Sequence, residues 1–132
     1  NAGKTGGDRA FNEEMLKAAK SGRVMKLFVD ECRSPIAASV TARAVWELVQ
    51  KNVSGIFHLA GSERLSRFEI GKLLERYLPE LQGKIEPGSL TEYQGAPRPP
   101  DTSLNCSKAQ NQLSFPLPAF SKWLEEHGMQ LR

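Results

Sequence analysis

Arg33 and Arg98 each stand in a loop that proline stiffens, the first in Leu27-Phe-Val-Asp-Glu-Cys-Arg-Ser-Pro-Ile36 and the second in Ala96-Pro-Arg-Pro-Pro-Asp-Thr-Ser-Leu104. Proline fixes its own φ and biases the residue before it toward extended backbone, so both loops hold a narrow set of conformations. A guanidinium is planar, permanently charged and forked, and it can donate to two phosphate oxygens at once. Two such groups held rigidly suit a phosphorylated small ligand. Against this, prolines commonly do no more than shape turns, and a loop arginine is most often a solvated surface charge.

Other chemistries find less support. Asp30-Glu31 resembles an acid/base pair, but neighbouring residues of a strand point to opposite faces, so at most one faces a cleft, and solvation of a strand end is the expected role. His58 falls within an apolar segment and His127 beside a helix stop, neither with a serine or cysteine in a nucleophile turn. Gly3-Lys4-Thr5 imitates the end of a phosphate-binding P-loop, yet no strand precedes it and Gly6-Gly7 occupies the place where the helix should start. Cys32 and Cys106 lack CxxC or Cys/His spacing, which argues against a metal site and against dependence on an oxidising compartment. Trp46, Trp123, Phe57 and Phe120 fall at packing positions rather than on a stacking platform.

The chain has 132 residues, 39% hydrophobic and 25% charged, with 18 basic and 15 acidic side chains giving a net charge of +3. Those values suit one domain over residues 1–132 with a modest core. The charges are scattered, without a basic stripe or interleaved aromatics, so no nucleic-acid partner is expected. No apolar run approaches membrane-spanning length and no signal segment opens the chain, which predicts a cytoplasmic protein without a membrane partner.

The pattern predicts an α/β fold, a small and partly parallel sheet of two or three strands with about five helices. Residues 1–7 are glycine-rich and expected to fray. Asp8 then caps a helix that carries Phe11, Met15 and Ala18 or Ala19 on one face and stops at Gly22. Val24–Val29 reads as a buried strand. Ala38–Gln50 reads as a helix with Ala38, Thr41, Ala42, Val45, Leu48 and Val49 at helical spacing. Gly55-Ile-Phe-His-Leu-Ala-Gly61 has the length and apolarity of a strand covered on both faces. Ser66-Arg-Phe-Glu69 is a capping box for a helix ended by Pro79, and Gly83–Pro87 is a brief strand. Residues 88–105 form a loop long enough to be functional or ordered by a partner. Ser107-Lys-Ala-Gln110 spells a second capping box, and Pro118 starts a last helix with Phe120, Trp123 and Leu124 inward and Gly128 as its stop.

In this order the segments resemble the C-terminal half of the extended short-chain dehydrogenase/reductase superfamily, most closely its dTDP-4-dehydrorhamnose reductase branch. Phe11–Gly22 is similar to the helix after the catalytic region, and Leu27–Ile36 to the segment ending in Asp-Gln-x-x-Ser-Pro-Thr. Gly55–Gly61 resembles the Gly-x-Tyr-His-Leu-x-Gly strand at the edge of the nucleotide-binding sheet, and Pro97–Leu104 with Ser107-Lys108 resembles the Arg-Pro-x-x-Ser-x-Leu…Ser-Lys stretch. The resemblance implies a Rossmann-type fold without its N-terminal nucleotide-binding half. It further implies a substrate-binding region for a nucleotide-diphosphate sugar, in an enzyme that moves hydride from NADPH or NADH to a 4-keto sugar. Arg33 and Arg98 then fall where members grip the substrate diphosphate, with Asp30, Glu31, Ser34 and Tyr93 lining the same cleft.

The departures are equally specific. The chain has no Gly-x-Gly-x-x-Gly or Gly-x-x-Gly-x-x-Gly turn, and neither Tyr77 nor Tyr93 is followed four residues later by lysine. The resemblance therefore implies that this chain alone binds no cofactor, has no catalytic residue, and relies on the missing half or on a second copy of itself. Val40 and Ile36 replace an acidic helix cap and a threonine usual in the branch, so the sugar stays open. The alternative is a non-catalytic interaction or regulatory domain of the same fold, self-pairing or part of a larger assembly.

Overall fold

A computed structural model describes residues 11–131. The expected frayed segment 1–7, the Asp8 cap and the Gly3-Lys4-Thr5 stretch lie outside the described residues. The architecture is mixed α/β. Helix α1 (Phe11–Lys20) precedes strand β1 (Met25–Phe28) and the two-residue strand β2 (Cys32–Arg33). Helix α2 (Ala38–Gln50), strand β3 (Leu65–Ser66), helix α3 (Arg67–Glu75) and strand β4 (Ile85–Gly88) follow. The short α4 (Ser107–Gln110) and then α5 (Phe120–His127) complete the order.

Local chemistry explains most of these boundaries. Gly22 ends the turn after α1 with φ of 78°, a conformation costly to residues bearing a Cβ. At α3 the Ser66 hydroxyl accepts from the Glu69 backbone N–H at 3.1 Å while the Glu69 carboxylate accepts from the Ser66 N–H at 2.7 Å, so the capping box is complete. The helix itself stops at Glu75, and Pro79 starts a single 3-10 turn instead.

Strands β1 and β4 pair in parallel, Met25 opposite Ile85 and Phe28 opposite Gly88, and β2 and β3 form a separate antiparallel pair. Pro87 fits because β4 has, among the described residues, only β1 as a neighbour, so a missing N–H breaks no second ladder there. Helix α3 lies on the β1/β4 pair at Gly71, where a Cβ would strike the Leu27 side chain. Met15, Leu27, Ile70, Leu74, Leu81, Ile85 and Leu124 form the core between α1, α3, α5 and this pair.

Three expectations are corrected. Gly55–Gly61 is not a strand: the segment runs without a ladder partner among the described residues, and Ile56 is 79% exposed. Its polar groups are met singly, Lys108 Nζ donating to the Ile56 carbonyl at 2.9 Å and the Gly61 N–H donating to the Ser34 carbonyl at 3.3 Å. Parallel pairing falls to Ile85–Gly88 instead.

The second capping box does not form, because Ser107 is the first helical residue and the Asn105 side chain accepts from its N–H at 2.9 Å. Gln110 turns away to the Phe115 carbonyl and the Leu117 N–H. The third correction is Trp46, which is 64% exposed rather than packed. On α2 only Ala44 and Leu48 are buried, which leaves Ala38, Ala42, Val45, Trp46 and Val49 on an outward apolar stripe. Trp123 and Phe120 do pack against the core.

Candidate diphosphate-binding site

Strand β2 is the point of assembly. Cys32 pairs with Ser66 on one side and, through an isolated parallel bridge, with Asp101 on the other. The Cys32 N–H donates to the Pro100 carbonyl at 2.7 Å and the Thr102 N–H donates to the Cys32 carbonyl at 3.2 Å. Three segments distant in sequence are thereby laid side by side, and each carries an arginine close to the pairing point: Arg33, Arg67 and Arg98.

All three converge on Glu31, whose side chain is 1% exposed. Arg33 Nη2 lies 2.6 Å and Arg98 Nη2 3.2 Å from Glu31 Oε1, and Arg67 Nε lies 3.8 Å from Glu31 Oε2. The Arg67 N–H also donates to the Glu31 carbonyl at 2.9 Å, and Arg33 Nη1 donates to the Cys32 carbonyl at 2.7 Å. Glu31 is thus no solvated strand end. The reading of strand-end solvation fails because two of the three partners, Arg67 and Arg98, come from elements far along the chain, invisible to local pattern. Three positive groups against one negative leave two charges in excess, a strong local attraction for an anion in a partly desolvated site. Burial, together with the like charges of Arg33 and Arg98, pushes the Arg67 guanidinium below the usual arginine value, with Glu31 pulling the other way.

The remaining candidates separate. Tyr93 stays near the cluster: its ring meets Phe28 edge-on at 5.6 Å, and the Arg98 guanidinium sits 5.5 Å from the Tyr93 ring and 5.8 Å from that of Phe28. Asp30 points elsewhere. Its carboxylate accepts from Ser89 Oγ at 2.6 Å and from the Leu90 N–H at 2.8 Å, bonds that hold its pKa down and anchor the start of the 88–105 loop. Ser34 is a seam residue, its Oγ accepting from the Leu104 N–H at 3.4 Å.

The 88–105 loop is held from within the chain. Besides the Asp30 and Cys32 contacts, Asp101 accepts from Arg64 Nε and from the Ser103 N–H, both at 2.8 Å. Those bonds draw the Asp101 carboxyl from 3.8 down to about 2. A carboxyl whose folded value is depressed stabilises above its unfolded value and ceases to do so as pH falls through the folded one. The Asp101 tie should therefore be intact at neutral pH and released as pH falls through about 2. Titration of the Asp101 side-chain carbon by NMR should show a midpoint near 2; a midpoint at the ordinary carboxylate value would refute the tie.

Two hollows flank the cluster. A polar one of about 270 Å³ is lined by Lys26, Phe28, Glu31, Arg67 and Arg98 among others, and an apolar one of about 640 Å³ by Arg33, Ile36, Arg67, Ile70 and Trp123 among others. Arg67 is the participant that sequence reasoning missed. Its position inside the Ser66/Glu69 capping box reads as an exposed first helical turn, and only the β2/β3 pairing turns it inward.

This mixed α/β architecture, with a parallel strand pair packed under α3, is of the Rossmann-type class to which its structural neighbours belong. The dTDP-4-dehydrorhamnose reductase of Bacillus anthracis strain Ames, solved in complex with NADP, superimposes with a TM-score of 0.77 at 18% identity over 92% of this chain and 43% of that one. The hypothetical dTDP-4-dehydrorhamnose reductase of Sulfolobus tokodaii gives a TM-score of 0.70 at 33% identity over 83% of this chain and 39% of that one. In sequence, the dTDP-4-dehydrorhamnose reductase of Sinorhizobium fredii strain NBRC 101917 / NGR234 is 28% identical over 82% of this chain and 40% of that protein. The family model described as the RmlD substrate binding domain matches residues 4–132, and the chain belongs to that family. The chain spans about two fifths of the length of the relatives it matches.

Proposed function

We propose that this chain binds the sugar nucleotide for an NAD(P)-dependent reductase of the dTDP-4-dehydrorhamnose reductase kind, and that Arg33 and Arg98 grip the diphosphate. One observation carries the reading: Arg33, which lies on strand β2 rather than in the expected loop, and Arg98 from the 88–105 loop share a single carboxylate oxygen, at 2.6 and 3.2 Å, between the apolar and the polar hollow. A carboxylate that fixes two guanidinium groups leaves their remaining N–H donors oriented before the ligand arrives, which lowers the entropic cost of binding.

The chain's own residues do not fit a nicotinamide dinucleotide. Strand β1 runs out into Asp30-Glu31 rather than a glycine turn, and the residues four places after Tyr77 and Tyr93 are Leu81 and Pro97. In this reading the cofactor and the proton donor belong to the nucleotide-binding half that accounts for the remaining length of the relatives. Calorimetric titration with a dTDP-sugar tests it: binding should be displaced by dTDP and not by thymidine, which lacks the phosphates. Equal displacement by both would remove the diphosphate claim.

A second reading, an interaction or regulatory domain, draws on the apolar stripe of α2, where Trp46 is 64% and Val49 63% exposed, together with Ile56. Apolar surface of that kind favours association. Sedimentation velocity over a range of concentrations should show reversible self-association if this reading holds; a monomer throughout would count against self-pairing.

A further inference from the structure

The three arginines around Glu31 are not equivalent. Arg33 lines the apolar hollow and Arg98 the polar one, while Arg67 lines both. Its Nε is buried and, among the described residues, has no hydrogen-bond acceptor. Glu31 Oε2, at 3.8 Å, is beyond hydrogen-bond reach. The Phe11 ring covers one face of the guanidinium at 4.3 Å.

We propose that Arg67 is a third phosphate-facing guanidinium, taking an oxygen of a diphosphate that runs between the Arg33 side and the Arg98 side of the cluster. The inference rests on the reading of this cluster as a diphosphate site and adds a residue to it. The charge balance supports the assignment, since Glu31 neutralises one of three guanidinium groups and Lys26 adds a further positive charge to the polar hollow, where Glu14 is the second carboxylate. An anion seated there would offset the excess charge and meet the part of the Arg67 side chain, 20% exposed, that lines both hollows.

The probe is inorganic pyrophosphate, titrated calorimetrically into the wild-type chain, Arg67→Gln, Arg67→Lys and an Arg33→Gln/Arg98→Gln double variant. Loss of one charge-assisted donor should weaken pyrophosphate about tenfold or more in Arg67→Gln, with partial recovery in Arg67→Lys. Because Arg67 also contacts Phe11 and Glu31, the unaltered chain supplies an independent measurement. Modification by phenylglyoxal, mapped by mass spectrometry, should slow at Arg67 when pyrophosphate is present. Binding that is lost in the double variant but unchanged in Arg67→Gln, with Arg67 modified at the same rate with or without pyrophosphate, would overturn the inference and leave the diphosphate reading standing. A wild-type chain indifferent to pyrophosphate would remove both.

Discussion

An Arg33→Ala/Arg98→Ala double variant should bind a dTDP-sugar at least about a hundredfold more weakly than the wild-type chain. Hydrogen bonds to charged groups contribute roughly 1.5–3 kcal/mol each, and two lost together exceed the ~2.8 kcal/mol that corresponds to a hundredfold. The Arg33 and Arg98 side chains are 22% and 37% exposed, but Glu31 is 1% exposed and keeps only Arg67 at 3.8 Å, so the variant should also be less stable and its binding is read where circular dichroism shows it folded. The corresponding double lysine variant separates charge from shape: lysine keeps the point charge and loses the fork, so its affinity should fall between the two. An affinity unchanged in the alanine variant, with a lowered melting temperature, would show that both arginines serve only Glu31.

Glu31→Gln should destabilise the chain by about 3 kcal/mol, measured by urea unfolding at neutral pH. Removing one member of a buried ion cluster leaves the others uncompensated, and losses of roughly 3–5 kcal/mol are typical. The lower end applies here because the three arginines are partly exposed and can turn toward water. A loss below about 1 kcal/mol would place the cluster among surface ion pairs, which contribute little.

Glu31 also marks where the sequence stopped being legible. The helices over 11–20 and 38–50, the β1 strand and the Ser66/Glu69 cap follow from spacing and local hydrogen-bonding chemistry, and those features are readable without knowledge of the rest of the chain. The burial of Glu31 and the inward turn of Arg67 depend on Cys32 pairing with Ser66 and Asp101, contacts that no local window contains.

The errors have the same origin. Gly55–Gly61 is apolar enough for a strand, but a strand needs a neighbour, and none lies alongside it among the described residues. On α2 the apolar residues cover more than one face, so spacing established a helix without deciding which face turns inward. Ala44 and Leu48 are buried, whereas Val45, Trp46 and Val49 face outward. Gln110 fits a capping-box spelling, yet its amide is drawn to Phe115 and Leu117, which the sequence places only five and seven residues on.

A crystal structure of the chain with dTDP bound tests the central claim most directly. The account predicts the diphosphate at the β2 junction, with phosphate oxygens within hydrogen-bond distance of both Arg33 and Arg98 and the Glu31 carboxylate still behind them. Density for dTDP elsewhere on the surface, with Arg33 and Arg98 still turned wholly onto Glu31, would contradict it.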